Sequence, residues 1–555
     1  MRKLALIALV ATAGCSAAGQ PGSETVDGRG QAVTPQGAGS GIAPNTGKTP
    51  KIRNVTPGQS SSGSSSGGVE AGAPSNTGWQ PLTNQAPLSN GQPLYAGFAM
   101  LLSDGTVLVQ DLGSANWWKL TPDNKGSYLN GTWTQVASPP NGYDPLYFAS
   151  GLLPDGRVVV EGGEYQGQAG NFNADWGTQG AIYDPVANQW TAIAPPAGWQ
   201  TIGDAQSVVL ADGRFYLADC CTTNAAVLDP TTLTWTTFGM TGKADINDEE
   251  GWTLLPDGNL LTVDANNTAD LLESELFSVK NATWSAAGDT PTKLDDTNAD
   301  YSGSHEMGPL LLRPDGTILA VGATGHNAVY HVSSGRWSSA PDFPNITGQG
   351  QLDTADGPAV LVPSGHALIT ASPGVYNTPL YIFEFDGLTL KQIGVPPQAP
   401  NDSSYNTTFL PLPNGQILFT DMSNDIELYT PPPSDEDSSC SWAPQIDTGR
   451  CALESLELGK TYTLSGTQLH GLSSAVAYGD DEQNATNYPL VRVVYRATGH
   501  VSYLRTHDFS NMSIAPGAYS TTQFDVPATQ ETGEAELVVV ANGIPSAPIP
   551  VSIGR

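Results

Sequence analysis

Between residues 79 and 432 short apolar runs alternate with polar turns in one recurring order. Two runs flank a turn that ends in glycine: LLSDG closing at Gly105, LLPDG at Gly156, VLADG at Gly213, LLPDG at Gly258, LRPDG at Gly316, LVPSG at Gly365 and PLPNG at Gly415. The runs that follow are VLVQ, VVVE, FYLA, LLTV, ILAV, ALIT and ILFT. Each has the length of a strand rather than a helix, and a glycine between two such runs predicts a hairpin. The turns fall 45 to 58 residues apart. Five units add a tryptophan after a second turn, at Trp133, Trp190, Trp235, Trp284 and Trp337, as in YDPVANQW and YHVSSGRW. Four-stranded sheets repeating at about 50 residues predict a seven-bladed β-propeller.

After PPPSDEDSS the pattern changes. Residues 440–555 hold alternating runs such as TYTLSG, LVRVVY, TQFDV, AELVVVA and PIPVSI, and the Asp-Gly repeat stops. That reads as an immunoglobulin-like β-sandwich. The expected fold class is therefore all-β: a seven-bladed kelch-type β-propeller over 79–435, followed by an immunoglobulin-like β-sandwich over 440–555. Ahead of both, residues 15–78 are rich in Gly, Ser, Pro, Thr and Asn, including GQSSSGSSSGG. Such a segment buries too little apolar surface to offset its ordering entropy, and reads as a flexible tether.

The chain opens MRKLALIALVATAGCS, a basic start, an apolar stretch and a small-residue exit. This is an export signal over 1–14, too short to stay as a spanning helix. TAGC resembles the lipobox of bacterial lipoproteins, which implies cleavage before Cys15, acylation of its thiol, and anchorage in the cell envelope at the outer membrane or cell surface. The formal net charge of -32 repels a polyanion, so nucleic acid is not an expected partner. Cys440 and Cys451 bracket CSWAPQIDTGRC, and an oxidising compartment allows a disulfide between them. The adjacent Cys220 and Cys221 are either a vicinal disulfide or two buried thiols.

In a propeller, the residues just before each innermost strand line one mouth of the channel. Nine residues before each turn glycine stand Ala96, Tyr147, Asp204, Glu249, Met307, Asp356 and Asn406; ten before stand Tyr95, Leu146, Gly203, Asp248, Glu306, Ala355 and Tyr405. With His305 beside Glu306, the candidate ligand-binding set is Tyr95, Asp204, Asp248, Glu249, His305, Glu306, Asp356 and Asn406. The cluster Asp248, Glu249 and Glu250 in NDEEGW supplies carboxylates that suit acid–base work or Ca²⁺. Acids beside Tyr95, Tyr147 and Trp252 also suit sugars, whose apolar face stacks on a ring while hydroxyls donate to the carboxylates.

Together these units resemble the galactose oxidase and glyoxal oxidase family of copper radical oxidases. The resemblance implies a copper held by two tyrosines and two histidines, with one tyrosine cross-linked to a cysteine of the first blade. Tyr147, in YFASGLLPDGRV, falls at the cross-linked tyrosine, Tyr405, in YNTTFLPLPNG, at the axial one, and His500, in ATGHVSYLRTHD, at the histidine that the last domain inserts. Asn406 stands where the family has its other histidine, and Tyr95-Ala96 fills the cysteine position. An unmodified tyrosine is harder to oxidise, and copper favours imidazole over carboxamide. The expectation is an exported, lipid-anchored module that binds a glycan or protein ligand and needs no cofactor. Tyr147, Tyr405 and His500 would then be a remnant catalytic and metal site. A copper-dependent oxidase acting on alcohols, aldehydes or glycans is the alternative.

Overall fold

The computed structural model describes residues 78–554, apart from 90, 167–172, 175, 301–302, 375–376, 433–438, 452 and 480–481. Cys15, the export signal and the tether lie outside the described residues, as does the side chain of Cys440.

The described chain is all-β, built from small antiparallel sheets. Six of them follow directly in chain order. The first uses Ala96–Leu101, Val107–Asp111, Trp117–Thr121 and Thr132–Gln135. The second uses Ala149–Leu152, Val158–Glu161, Gly180–Asp184 and Gln189–Ile193. The third begins at Ser207–Val209, the fourth at Thr253–Leu254, the fifth at Leu310–Leu312 and the sixth at Ala359–Leu361. A seventh sheet, Thr408–Pro411, Ile417–Thr420 and Glu427–Tyr429, takes its fourth strand from the far end of the chain: Trp79 pairs with Tyr429. First strands touch between the second and third sheets, the fourth and fifth, the fifth and sixth, the sixth and seventh, and the seventh and first.

The repeated turns have one physical basis. Every turn glycine lies in the left-handed region, from +76° at Gly105 to +88° at Gly213, where a Cβ is strained. The residue before each glycine accepts a hydrogen bond from the backbone two positions on. Asp104, Asp155, Asp212, Asp257 and Asp315 do so through Oδ1 at 3.0–3.1 Å, and Asn414 does likewise at 3.1 Å. The recurring tryptophans tie each outer strand to chain that precedes it. Trp190, Trp235 and Trp284 donate to the carbonyls of Ala137, Ala194 and Gly239 at 2.8–2.9 Å.

The C-terminal part packs two sheets around one core of Leu456, Leu464, Val493, Phe524, Leu537 and Val539. One long segment leaves this core and runs among the first strands of the other sheets. Val476–Ala477 adds a fifth strand to the sixth sheet. Beyond it Asn484 donates to the carbonyls of Ala99 at 3.1 Å and Phe409 at 2.9 Å, in the first and seventh sheets. Ser473 donates to Leu312 O at 2.5 Å, and Tyr488 to Leu101 O. Residues 472–479 and 482–489 thus form a plug between the first, fifth, sixth and seventh sheets. Asn484→Ala leaves two buried carbonyls unpaired and is expected to cost roughly 2–4 kcal/mol, read as a shift of the denaturant midpoint; an unchanged midpoint contradicts the plug.

Candidate functional site

One residue just before the first strand of each of six sheets is half-buried: Tyr95, Tyr147, Asp204, Glu249, Asp356 and Asn406. Three of them have left-handed backbones, Tyr147 at φ +53°, Glu249 at +58° and Asp356 at +52°, as does His305 at +66°. Outliers of this kind persist only where surrounding structure imposes them, and they collect at functional sites.

Tyr147, Tyr405, Asp356 and Glu482 converge. Burial holds the Tyr147 phenol well above its ordinary range, with Tyr405, Glu482, Asp356 and Tyr165 adding to it. The Tyr147 ring meets Tyr165 edge-on at 6.1 Å. Tyr405 is also raised by burial; the side chain of Asn406 bonds it and offsets part of the shift, while Asp356 adds to it. Its backbone is fixed by Tyr478, whose hydroxyl donates to Tyr405 O at 2.7 Å. Glu482, at the plug's tip, donates its backbone N–H to Phe148 O at 2.9 Å. Burial pushes its carboxyl up to about 8, although the Tyr147 backbone N–H bonds the carboxylate. At neutral pH the site therefore presents protonated phenols and a protonated acid.

His500 is not part of this group. Its Nδ1 lies 2.7 Å from Glu531 Oε2 and its Nε2 3.3 Å from Asn124 Nδ2, with a third of the side chain exposed. The strand Val501–Leu504 that follows it pairs within the C-terminal sheet, so the histidine is held at that domain's surface. The described residues that reach Tyr147 from the C-terminal part lie in 472–479 and 482–489, and the side chain they deliver is Glu482.

Other expected residues are buried away from solvent. His305 and Glu306 are 2% and 3% exposed, and His305 Nδ1 lies 3.0 Å from Thr297 Oγ1. Trp252 stacks on Tyr216 at 4.5 Å as core rather than as a sugar platform. Asp248 faces Cys220 and Cys221, whose sulfurs are bonded to each other. Cys451 Sγ lies 3.2 Å from Ser465 N; the Cys440 side chain expected to bridge it lies outside the described residues.

Glu250 turns inward from the expected acidic rim. It belongs to a buried cluster around Lys243, a residue for which the sequence offers no signal. Lys243 Nζ lies 2.7 Å from Glu275 Oε2, 3.2 Å from Glu250 Oε1 and 3.7 Å from Asp264 Oδ1, and it also pairs with Asp245. Its side chain is 1% exposed.

Copper is the ion the resemblance implies, and the residues do not fit it. The groups acting on Tyr147 and Tyr405 are phenols, carboxyls and a carboxamide, and burial keeps the phenols protonated. Among the described residues, no imidazole is one of the groups that shift Tyr147 or Tyr405. Cu(II) ranks imidazole nitrogen above neutral oxygen donors, so the site lacks the ligand set that copper needs.

No family model and no curated protein matches the chain. Among solved structures, a fungal alcohol oxidase of the AA5 family in complex with copper is similar at 13% identity and a TM-score of 0.47, over 86% of this chain and 99% of that one. A catalytically inactive virginiamycin B lyase from Staphylococcus aureus with quinupristin is similar at 11% identity and a TM-score of 0.42, over 63% of this chain and 98% of that one. At these values neither likeness says what this chain binds or does.

Proposed function

We propose that this protein is a ligand-binding module. Its seven sheets are the blades of a kelch-type β-propeller over 79–435, and residues 440–555 are an immunoglobulin-like domain whose loop plugs the channel. The ligand is a carbohydrate or a protein, and a neutral glycan suits the mouth best. Tyr95 and Tyr147 offer ring faces to a sugar's apolar side. Asp204, Glu249 and Asp356 accept from its hydroxyls, and protonated Glu482 donates to a ring or glycosidic oxygen. An export signal and acylation at Cys15 would hold the head on the cell envelope.

The observation that supports this reading is that Glu482, and not His500, is the C-terminal side chain that acts on Tyr147. A carboxyl kept neutral by burial is a hydrogen-bond donor, not a copper ligand. The test is a titration of the purified protein against a panel of neutral oligosaccharides by calorimetry. Tyr147→Ala is expected to weaken the best binder by about tenfold or more, the loss of one stacking ring. Copper-dependent peroxide release from an alcohol, abolished by Tyr147→Phe, would instead establish the oxidase.

A further inference from the structure

In the third sheet the strand Phe215–Ala218 runs into DCCTTN. Cys221 lies at φ +71°, a conformation that favours glycine, and an outlier held in place points to a use. The loop is stapled to the next repeat. Cys220 N–H donates to Ile202 O at 2.9 Å, Cys221 N–H to Asn247 O at 3.0 Å, and Asn247 N–H returns a bond to Thr222 O at 2.8 Å. Asn247 Nδ2 also donates to Asn224 O at 2.9 Å. These bonds fix the chain on both sides of the two sulfurs and of Asp248.

Asp248 Oδ1 lies 3.5 Å from Cys220 Sγ and 3.6 Å from Cys221 Sγ. Sγ, Sγ and a carboxylate oxygen all fall within 4.8 Å of one another. A tetrahedral cation bound by thiolates at about 2.3 Å and a carboxylate oxygen at about 2.1 Å separates that oxygen from each sulfur by about 3.6 Å. Asp248 already stands at that separation. Only the two sulfurs have to part, to about 3.8 Å, and the Cα atoms 3.7 Å apart are joined through rotatable side chains.

We propose that Cys220, Cys221 and Asp248 form a redox-gated site for a thiophilic d¹⁰ cation of the zinc and cadmium class, closed while the sulfurs are bonded and opened by a dithiol reductant. The reductant's thiolate attacks one sulfur and breaks the S–S bond, giving a mixed disulfide and one cysteine thiolate. The second thiol of the reductant then displaces the other cysteine and leaves as its own cyclic disulfide. Its two protons and two electrons end on the cysteine pair. A divalent cation replaces the two thiol protons, and Asp248 supplies the third donor. The site is independent of whatever ligand the mouth takes.

Cadmium is the probe, read by its thiolate charge-transfer absorbance in the full chain. The expected result is a band saturating at one equivalent in protein reduced with a dithiol and then freed of it, and no band in oxidised protein. Cys220→Ser abolishes the band, Asp248→Asn weakens binding by about tenfold or more, and the double variant Cys440→Ser, Cys451→Ser keeps it. A band that survives Cys220→Ser, or that disappears with Cys440 and Cys451, overturns the proposal. Should Cys220→Ser fail to fold, wild-type protein decides: Cd²⁺ must protect both Cys220 and Cys221 from alkylation as read by peptide mass, and alkylation that proceeds unprotected refutes the site.

Discussion

Lys243→Met is expected to destabilise the protein by about 3–5 kcal/mol, the cost of removing one partner from a buried ionic cluster. Lys243 is the one cation among four buried carboxyls, those of Asp245, Glu250, Asp264 and Glu275. Its ammonium also lies 5.6 Å from the centroid of the Trp284 ring. Despite the burial that opposes charge, the four acids hold the lysine well above its ordinary value. Burial raises Glu250, Lys243 lowers it, and its acidic neighbours raise it further; Asp264 is pushed up to about 8 for the same reasons. Removing the ammonium leaves mutual repulsion in a space from which water is excluded. The chain can relieve it by protonating the acids, so the loss should be larger at pH 8 than at pH 6. Lys243→Met combined with Glu250→Gln removes one repelling charge as well and should recover part of the loss. Denaturant midpoints for the three proteins at both pH values check this. Equal losses at the two pH values, or a double variant worse than the single one, would show that the cluster is not held by its charges.

What the sequence made legible was local. A turn glycine with a left-handed backbone and a side-chain acceptor before it, Asx in six turns and Ser364 in one, is written in five residues. Seven copies at near-regular spacing therefore announce seven hairpins. The tryptophans were legible as markers, though not as donors to the chain before them. The plug was not legible in the same way. Nothing in a few residues says which connection of a sandwich will reach the centre of a neighbouring ring, and the pattern around His500 pointed to the wrong one. A usable signal was present: GDDEQNATNYPL is a long irregular stretch between two strand patterns, rich in small and amide side chains, and loops of that length inside compact domains are usually functional. Lys243 was hidden because its four partners come from 245, 250, 264 and 275, which the sequence separates and the sheet brings together. Asp248 and Glu250 stand two apart in NDEEGW and yet face different neighbours, the cysteine pair and the lysine. Composition had merged them into one rim.

Stability should fall as pH rises from about 4.5 to about 8, against the habit of acid-labile proteins. Buried carboxyls set the sign. Burial pushes Glu482 and Asp353 up to about 8 and Asp295 to about 6. An acid whose folded pKa lies above its unfolded one binds its proton more tightly when folded. The stabilisation is fully present below the unfolded value and is lost as pH climbs through the folded one. Each such group contributes a slope of about 1.4 kcal/mol per pH unit where the folded state holds the proton and the unfolded state has released it. Groups shifted the other way act lower down. Asp386, where hydrogen bonds from Thr389 and Leu388 outweigh partial burial, and Asp525, bonded by Thr461 and His507, are both lowered; what they add is lost only as pH falls below the ordinary carboxylate range. The optimum therefore lies in mild acid. Glu482→Gln keeps the shape and the neutral form and cannot ionise. It should match the wild type at pH 5.5 and exceed it at pH 8.5, with a shallower decline between the two. Urea midpoints at the two pH values measure this. A wild-type stability that rises toward pH 8.5, or a variant whose slope equals the wild type's, would place Glu482 in water rather than at the buried tip of the plug beside Tyr147.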